Sequence, residues 1–269
     1  MTVIAFIGGG NMASALIGGL RRADPGVDIL AVEPAACQRE RLAEAFGVIA
    51  LAAADHTLRR ADLVVWAVKP QYFADAAKPC AAWVGGALQL SVMAGIRSDA
   101  IVAATGAQRV VRAMPNTPAL IGAGIAGLYA RDAVDAAGRA RVEALLAPTG
   151  ALVWVAKESD LDAVTALSGS GPAYVFYFIE AMIQAAVEMG LSADQGRALA
   201  LATFAGATEL ARRSDEPPAV LRERVTSKGG TTFAALTAMQ AAGVGPAFVE
   251  AIRAAQRRAA ELGDEFGGR

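Results

Sequence analysis

Few residues in this chain are of a type and spacing to do chemistry. Gly8-Gly9-Gly10-Asn11-Met12-Ala13 follows the apolar run Val3-Ile4-Ala5-Phe6-Ile7 and opens a helical pattern. It fits G-x-G-x-x-A with Gly8, Gly10 and Ala13. In such a turn the first glycine permits a tight reversal and the second lets the backbone approach a pyrophosphate. The alanine keeps helix and strand close, and the helix N-terminus offers N–H groups and positive partial charge. The string alone is weak, because glycine turns are common. Its place between a strand and a helix makes dinucleotide binding the expectation over a purely structural turn, with Ile7, Gly8, Gly10, Asn11, Met12 and Ala13 as candidate contacts. Glu33 ends the second strand, 25 residues after Gly8. An acid there accepts hydrogen bonds from the adenosine ribose and disfavours a 2′-phosphate, which favours NAD(H) over NADP(H). Arg39 and Arg41 are close enough in sequence to offset it. The alternative is that Glu33 only caps the helix that follows.

Other chemistries lack their residues. The single histidine, His56, sits in the polar stretch Asp55-His56-Thr57-Leu58-Arg59-Arg60, which reads as a surface helix start. No His-based metal cluster can be built, a Ser-His-Asp triad would need this one ring, and no metal site is expected. In Leu167-Ser168-Gly169-Ser170-Gly171 glycine directly precedes the serine, so the stretch is not a nucleophile elbow. Cys37 and Cys80 read as small packing residues. A net charge of −1 supplies no basic field for nucleic acid or an anionic membrane, and 55% hydrophobic content excludes disorder. The uncharged stretch 113–130 carries Pro115, Pro118, Gly122, Gly124 and Gly127, which makes a poor spanning helix. Met1-Thr2-Val3-Ile4 lacks a basic secretory leader. A soluble, cytoplasmic chain is expected.

The elements that must position the glycine turn alternate. Strands are expected at Val3–Ile7, Ile29–Val32, Leu63–Val68, Leu88–Val92 and Arg109–Ala113, with helices between them. The first helix runs from Asn11 to Arg22, and Pro34 suits the first turn of another that ends at Phe46. This alternation means βαβ units and a doubly wound parallel sheet of the Rossmann type. Ile125–Tyr129 and Leu152–Val155 read as later strands at its edge. After Lys157 only helical segments follow, near 161–167, 172–189, 193–213, 218–226, 231–242 and 246–262. Ser159-Asp160-Leu161-Asp162 and Ser192-Ala193-Asp194-Gln195 look like capping boxes. A short glycine-bearing end, 263–269, closes the chain. The expected division is a dinucleotide-binding α/β domain, 1–157, and an all-helical domain, 158–269. Ala173–Glu188 is apolar on nearly all sides, so it calls for burial all round. So small a helical half has little room to bury it, which implies a partner subunit and hence a homodimer or larger.

Four further stretches carry a resemblance: Ala67-Val68-Lys69-Pro70, Arg112-Ala113-Met114-Pro115-Asn116-Thr117-Pro118, Ser168-Gly169-Ser170-Gly171-Pro172-Ala173-Tyr174 and Thr226-Ser227-Lys228-Gly229-Gly230-Thr231-Thr232. In order and spacing the chain resembles the pyrroline-5-carboxylate reductase family over nearly its whole length. The resemblance implies reduction of the cyclic imine 1-pyrroline-5-carboxylate to L-proline by NADPH or NADH, the last step of proline biosynthesis. It also implies a Rossmann domain, a helical dimerisation domain, an active site shared between subunits and further assembly into decamers.

The residues agree with imine chemistry. A protonated imine is already electrophilic, so the near absence of histidine suits it better than a hydroxy-acid dehydrogenation, which wants a base. Two glycines before a helix start make a backbone N–H site for a carboxylate. By resemblance Gly229, Gly230 and Thr231 hold that carboxylate, and the Thr232 hydroxyl bonds the ring nitrogen as the catalytic group. Lys228 either adds charge there or is a solvated surface lysine. Ala67, Val68, Lys69 and Pro70, with Met93 and Ala94 at the end of the next strand, line the nicotinamide side. Asn116 either orients the nicotinamide or its ribose, or closes an Asx turn. Ser168 and Ser170 either border the substrate or cap a helix. Two rivals are a β-hydroxyacid-type dehydrogenase, which wants a lysine absent from Ala173–Glu188, and a non-catalytic dinucleotide sensor.

Overall fold

In the computed structural model, residues 2–267 are described. Eight strands form one sheet: β1 (Val3–Ile7), β2 (Asp28–Val32), β3 (Ile49–Leu51), β4 (Leu63–Trp66), β5 (Leu88–Ser91), β6 (Val110–Met114), β7 (Gly124–Ala130) and β8 (Gly150–Trp154). Their order is β3-β2-β1-β4-β5-β6-β7-β8. The chain leaves β1 for β2 on one side and returns to β4 on the other, so a switch point lies between β1 and β4.

Alternation along the strands explains why both faces are covered. Ile4, Phe6, Leu63 and Val65 enter one core with Leu16 and Ile17 of α1 (Asn11–Ala23), Leu42 of α2 (Ala36–Phe46), and Leu145 and Leu146 of α5 (Ala136–Leu146). Ala5, Ile7, Val64 and Trp66 enter the other, with Phe73 and Cys80 of α3 (Phe73–Val84) and Ile101 of α4 (Ser98–Thr105). Each fully buried large side chain contributes about 1.5–3 kcal/mol. Trp66 needs a polar partner as well: its indole N–H donates to Gln89 Oε1 at 2.8 Å, and Gln89 donates to Val84 O and Ala87 O.

Three details differ from the expectation. First, β6 and β7 are antiparallel, because the Pro115–Ala123 link is shorter than the dozen or so residues a parallel crossover needs. β8 pairs parallel to β7 on its other side, so β7 is internal and β8 forms the edge. Second, Pro34 lies before the α2 N-cap, Ala35, rather than in the first helical turn. Third, Ser159 makes no cap: Lys157 N donates instead to Asp160 Oδ2 at 3.1 Å. His56 does begin a surface helix, His56–Arg60, capped by Asp55; His56 is exposed, and Leu58 anchors the helix in the α3/α4 core. Cys80 is buried as a packing residue, whereas Cys37 is exposed on α2.

The chain forms two compact units, one of residues 1–172 with 254–269 and one of residues 173–253. These limits differ from a cut at residue 157 for two reasons. α6 (Asp160–Val164) packs on β6 and β7 and stays with the sheet. The end of α11 (Val244–Gly267) also returns to it: Phe266 joins the α3/α4 core, and a Cβ at Gly95 would lie 3.1 Å from Leu262 O. The expected glycine-bearing end is thus helical as far as Gly267, and Gly268 and Arg269 lie outside the described residues, as does Met1.

The second unit holds most of α7 (Gly171–Glu188), then α8 (Ala193–Arg213), α9 (Pro218–Arg224), α10 (Thr231–Ala241) and the start of α11. Ser192 and Gln195 form the capping box of α8 in both directions, at 3.2 and 2.9 Å. Among the described residues of α7, Ala186 is the one the chain itself buries. Phe176 is 58% and Tyr177 68% exposed in the single chain, although the sequence marks this helix for burial. No single helix among the described residues is long and apolar enough to cross a membrane.

Candidate active site

A cavity of about 580 Å³ opens at the carboxyl ends of β1, β2 and β4, on the switch point. Ile7, Gly8 and Gly10 line it, with Glu33 from the end of β2 and Ala67, Val68 and Lys69 from the end of β4. Gly8 has φ +97°, and a Cβ there would lie 2.8 Å from Ala67 O and 2.9 Å from Val68 Cγ1. Only glycine takes this left-handed turn with β4 so close. Gly8 N donates to Val32 O at 2.9 Å and Ala67 N to Ile7 O at 2.8 Å, so the turn is tied to both neighbouring strands.

Beyond it α1 begins. Among the described residues its N-cap, Gly10, has no side-chain cap, and its first turn, which holds Asn11, Met12 and Ala13, has no acid. A Cβ at Gly10 would meet nothing within 4 Å. Uncapped N–H groups above an open, side-chain-free turn fit the pyrophosphate of a dinucleotide.

Glu33 is more occupied than its position suggests. Its Oε2 accepts from Gly9 N at 2.8 Å and its Oε1 from Ala35 N at 2.9 Å. It therefore holds the glycine turn and the entry to α2 together. Arg39 donates to Glu33 O and Pro34 O at 2.9 and 2.6 Å, which sets its guanidinium beside the same rim.

The sequence carries no motif for the far wall of the cavity. Ala52, Ala53 and Ala54 follow β3, and Tyr72, Asp75, Ala76, Pro79 and Cys80 come from α3 and the turn before it. The available signal was the rule that each strand's carboxyl end faces the ligand, but a strand as short as Ile49–Leu51 hides it. Burial pushes the Cys80 thiol up to about 11, so it stays protonated and inert at neutral pH.

Other expected residues stand apart from this lining. Pro70 starts the turn after β4. Met93 is only 3% exposed and packs in the α3/α4 core, and Ala94 follows it. Asn116 closes no Asx turn: its Oδ1 accepts from Ile125 N at 3.0 Å, which ties the proline-flanked loop to β7. Ser168 is no cap either, since its Oγ donates back to Val164 O at 3.0 Å. Ser170 closes a single wide turn, Thr165–Gly169, in which Ser170 N reaches Thr165 O at 2.8 Å.

Lys228, Gly229, Gly230, Thr231 and Thr232 lie in the second unit. Gly230 N donates to Ser227 O at 3.0 Å, and Gly229 has φ +77°, the third position of a turn that requires glycine. Gly230 is then the N-cap of α10 and, among the described residues, brings no side-chain cap. Lys228 and Thr231 are exposed, and Thr232 is half-buried.

A glycine turn feeding an uncapped helix at the switch point of a mostly parallel sheet defines a dinucleotide-binding protein. Residues 3–95 match a family model described as NADP oxidoreductase, coenzyme F420-dependent, and residues 158–262 match one for pyrroline-5-carboxylate reductase dimerisation. The chain belongs to the pyrroline-5-carboxylate reductase family. It is 43% identical to a pyrroline-5-carboxylate reductase of Pseudomonas aeruginosa, with 98% of each chain covered. The solved pyrroline-5-carboxylate reductase of Coxiella burnetii superposes with TM-score 0.89 at 33% identity, covering 96% of this chain and 97% of that one. The Plasmodium falciparum enzyme, solved with NADP bound, superposes with TM-score 0.86 at 27% identity, and 98% of each chain is covered. The dimerisation match spans the whole of α7, whose apolar side chains the single chain leaves exposed, and supports association of this chain with itself.

Proposed function

We propose that the protein reduces 1-pyrroline-5-carboxylate to L-proline with NADPH or NADH, as the last step of proline biosynthesis. The observation that carries this reading is the second anion-ready helix start. The turn at Ser227–Gly230 delivers α10 with its first N–H groups uncapped by any described side chain, and Thr232 sits in that first turn.

In this reading Gly8, Gly10, Asn11, Met12 and Ala13 hold the pyrophosphate through backbone N–H groups. Ala67, Val68, Lys69, Pro70, Met93 and Ala94 flank the nicotinamide side. Asn116, its carboxamide oxygen fixed by Ile125 N, presents its NH2 group as an orienting donor. The bound cofactor supplies the hydride. Gly229, Gly230 and Thr231 hold the substrate carboxylate, and Lys228 adds positive charge beside it. The Thr232 hydroxyl holds the ring nitrogen, which carries a proton in the reactive iminium form. Ser170 borders the substrate. No histidine base is called for, in keeping with the single, exposed His56.

Residues 1–157 form the dinucleotide-binding half of this scheme and residues 158–269 the dimerisation and substrate half, a division supported by the family match that starts at residue 158. The dimer assembles further, into a pentamer of dimers. The protein works in the cytoplasm on a small molecule, without nucleic acid or membrane. A β-hydroxyacid-type dehydrogenase is disfavoured because α7 carries no lysine. The test is oxidation of NADPH and NADH on addition of pyrroline-5-carboxylate, with proline as the product. Substrate-dependent oxidation with at least one cofactor is expected; none with either refutes the assignment.

A further inference from the structure

We propose that Gln38 is a positioning residue for the dinucleotide: from α2 it fixes the Gly9 carbonyl and so aims the Gly10 N–H away from α2, as a donor to the cofactor phosphates. This rests on the dinucleotide reading of the cavity and adds to it a residue outside the glycine turn.

Two consecutive peptide planes in the turn are each held by a side chain. Glu33 Oε2 accepts the N–H of Gly9 at 2.8 Å. Gln38 Nε2 donates to the carbonyl of Gly9. The Gly9 N–H is therefore committed to Glu33. The Gly9 carbonyl and the Gly10 N–H belong to one trans peptide, and in such a plane the two groups point in opposite directions. Pulling the carbonyl onto α2 turns the Gly10 N–H the other way. Gly10 lines the cavity, and the space over it is open.

Packing makes the arrangement rigid. A Cβ on Gly9 would lie 2.6 Å from Leu42 Cδ1 and 3.2 Å from Glu33 Cγ, so α2 lies flush on the turn. Gln38 and Leu42 are four apart on α2 and present the same face. The middle glycine of the motif thus answers a steric demand from α2, and Gln38 supplies the polar half of that contact. Gln38 is half-buried and carries no charge, so its influence should not depend on whether a 2′-phosphate is present.

The test uses Gln38→Met, close in volume and a good helix former but without a donor, with Gln38→Ala beside it. NADH and NADPH binding to the intact protein are measured by fluorescence titration without substrate, together with KM, kcat and Tm. The expected result is a Kd raised about 3- to 10-fold for both cofactors, the loss of one oriented hydrogen bond. The ratio between cofactors should be unchanged, kcat within about twofold and Tm near that of the parent. An unchanged Kd in Gln38→Met, or a rise confined to one cofactor, overturns the proposal. Direct binding separates this outcome from the activity: a parent protein that binds cofactor but does not turn over pyrroline-5-carboxylate refutes the proposed reaction and leaves the Gln38 measurement decisive.

Discussion

Arg112 Nη1 donates to Glu158 Oε1 at 3.0 Å, and the same carboxylate takes Ser98 N and Ser98 Oγ, each at 2.6 Å. One side chain thereby joins the internal strand β6, the start of α4 and the segment that leads into α6. The Arg112 side chain is 6% exposed, and burial pulls its pKa below the ordinary arginine value while Glu158 opposes that pull. Glu158→Ala strands a buried cation and uncaps α4. It should destabilise the protein by about 3 kcal/mol or more, read from denaturant unfolding at fixed protein concentration. The double variant Arg112→Met/Glu158→Leu should recover much of the loss. Equal losses in the two proteins would show that the ion pair is not the cause.

Thr232→Ala should lower kcat about 10-fold or more, the effect of one positioned hydrogen bond at a dry site. Cofactor binding should be unaffected, because Thr232 belongs to the α10 turn. Steady-state kinetics at saturating NADPH decide it, and an unchanged rate removes the hydroxyl from the mechanism.

Glu33→Ser removes a negative charge from the adenosine side while shortening the bridge between Gly9 N and Ala35 N. NADH should bind less well, and kcat/KM for NADPH relative to NADH should rise about 5-fold or more. Arg39 is already seated at that rim. A constant ratio would reduce Glu33 to its two backbone contacts.

Cys80 and Cys37 should differ sharply towards thiol reagents. Burial raises the Cys80 thiol to about 11, so at pH 8 it is protonated as well as enclosed. Mass spectrometry after brief alkylation at pH 8 should find Cys37 labelled and Cys80 spared. The same shift has a sign for stability. A thiol whose folded pKa exceeds its free value of 9.0 favours the folded state below pH 9 and loses that advantage as pH climbs towards about 11. Cys80→Ala should therefore flatten part of the alkaline fall in Tm. An unchanged profile would assign that fall to other groups.

Strong local patterns made much of the fold legible. The β-branched run Val3–Ile7 and the helix Ala193–Arg213, opened by its Ser192/Gln195 box, match the structure residue for residue. Where several residues must cooperate in space, the sequence is silent. β3 is only three residues long, so Ala52–Ala54 and the α3 wall of the cavity could not be anticipated from it. The reversal between β6 and β7 was readable in principle from the length of Pro115–Ala123. The wide turn at Thr165–Gly169 was not, because Thr165 and Ser168 return their hydroxyls to the carbonyls of Leu161 and Val164, a choice set by packing. Glu33 shows the same limit: its spacing marks it for the nucleotide, but only the folded chain shows both oxygens already engaged.

The return of α11 to the sheet has a consequence for biogenesis. Phe266 and Leu262 follow the whole of the second unit in the chain, yet Phe266 packs on a core that begins with Val3 and Leu262 lies against Gly95. Synthesis from the N-terminus cannot finish the nucleotide-binding unit first and the helices afterwards. The nascent sheet must wait, with its α3/α4 side incompletely covered, until the end of α11 has been made. A gene fragment cut after residue 172 would encode that unfinished state permanently.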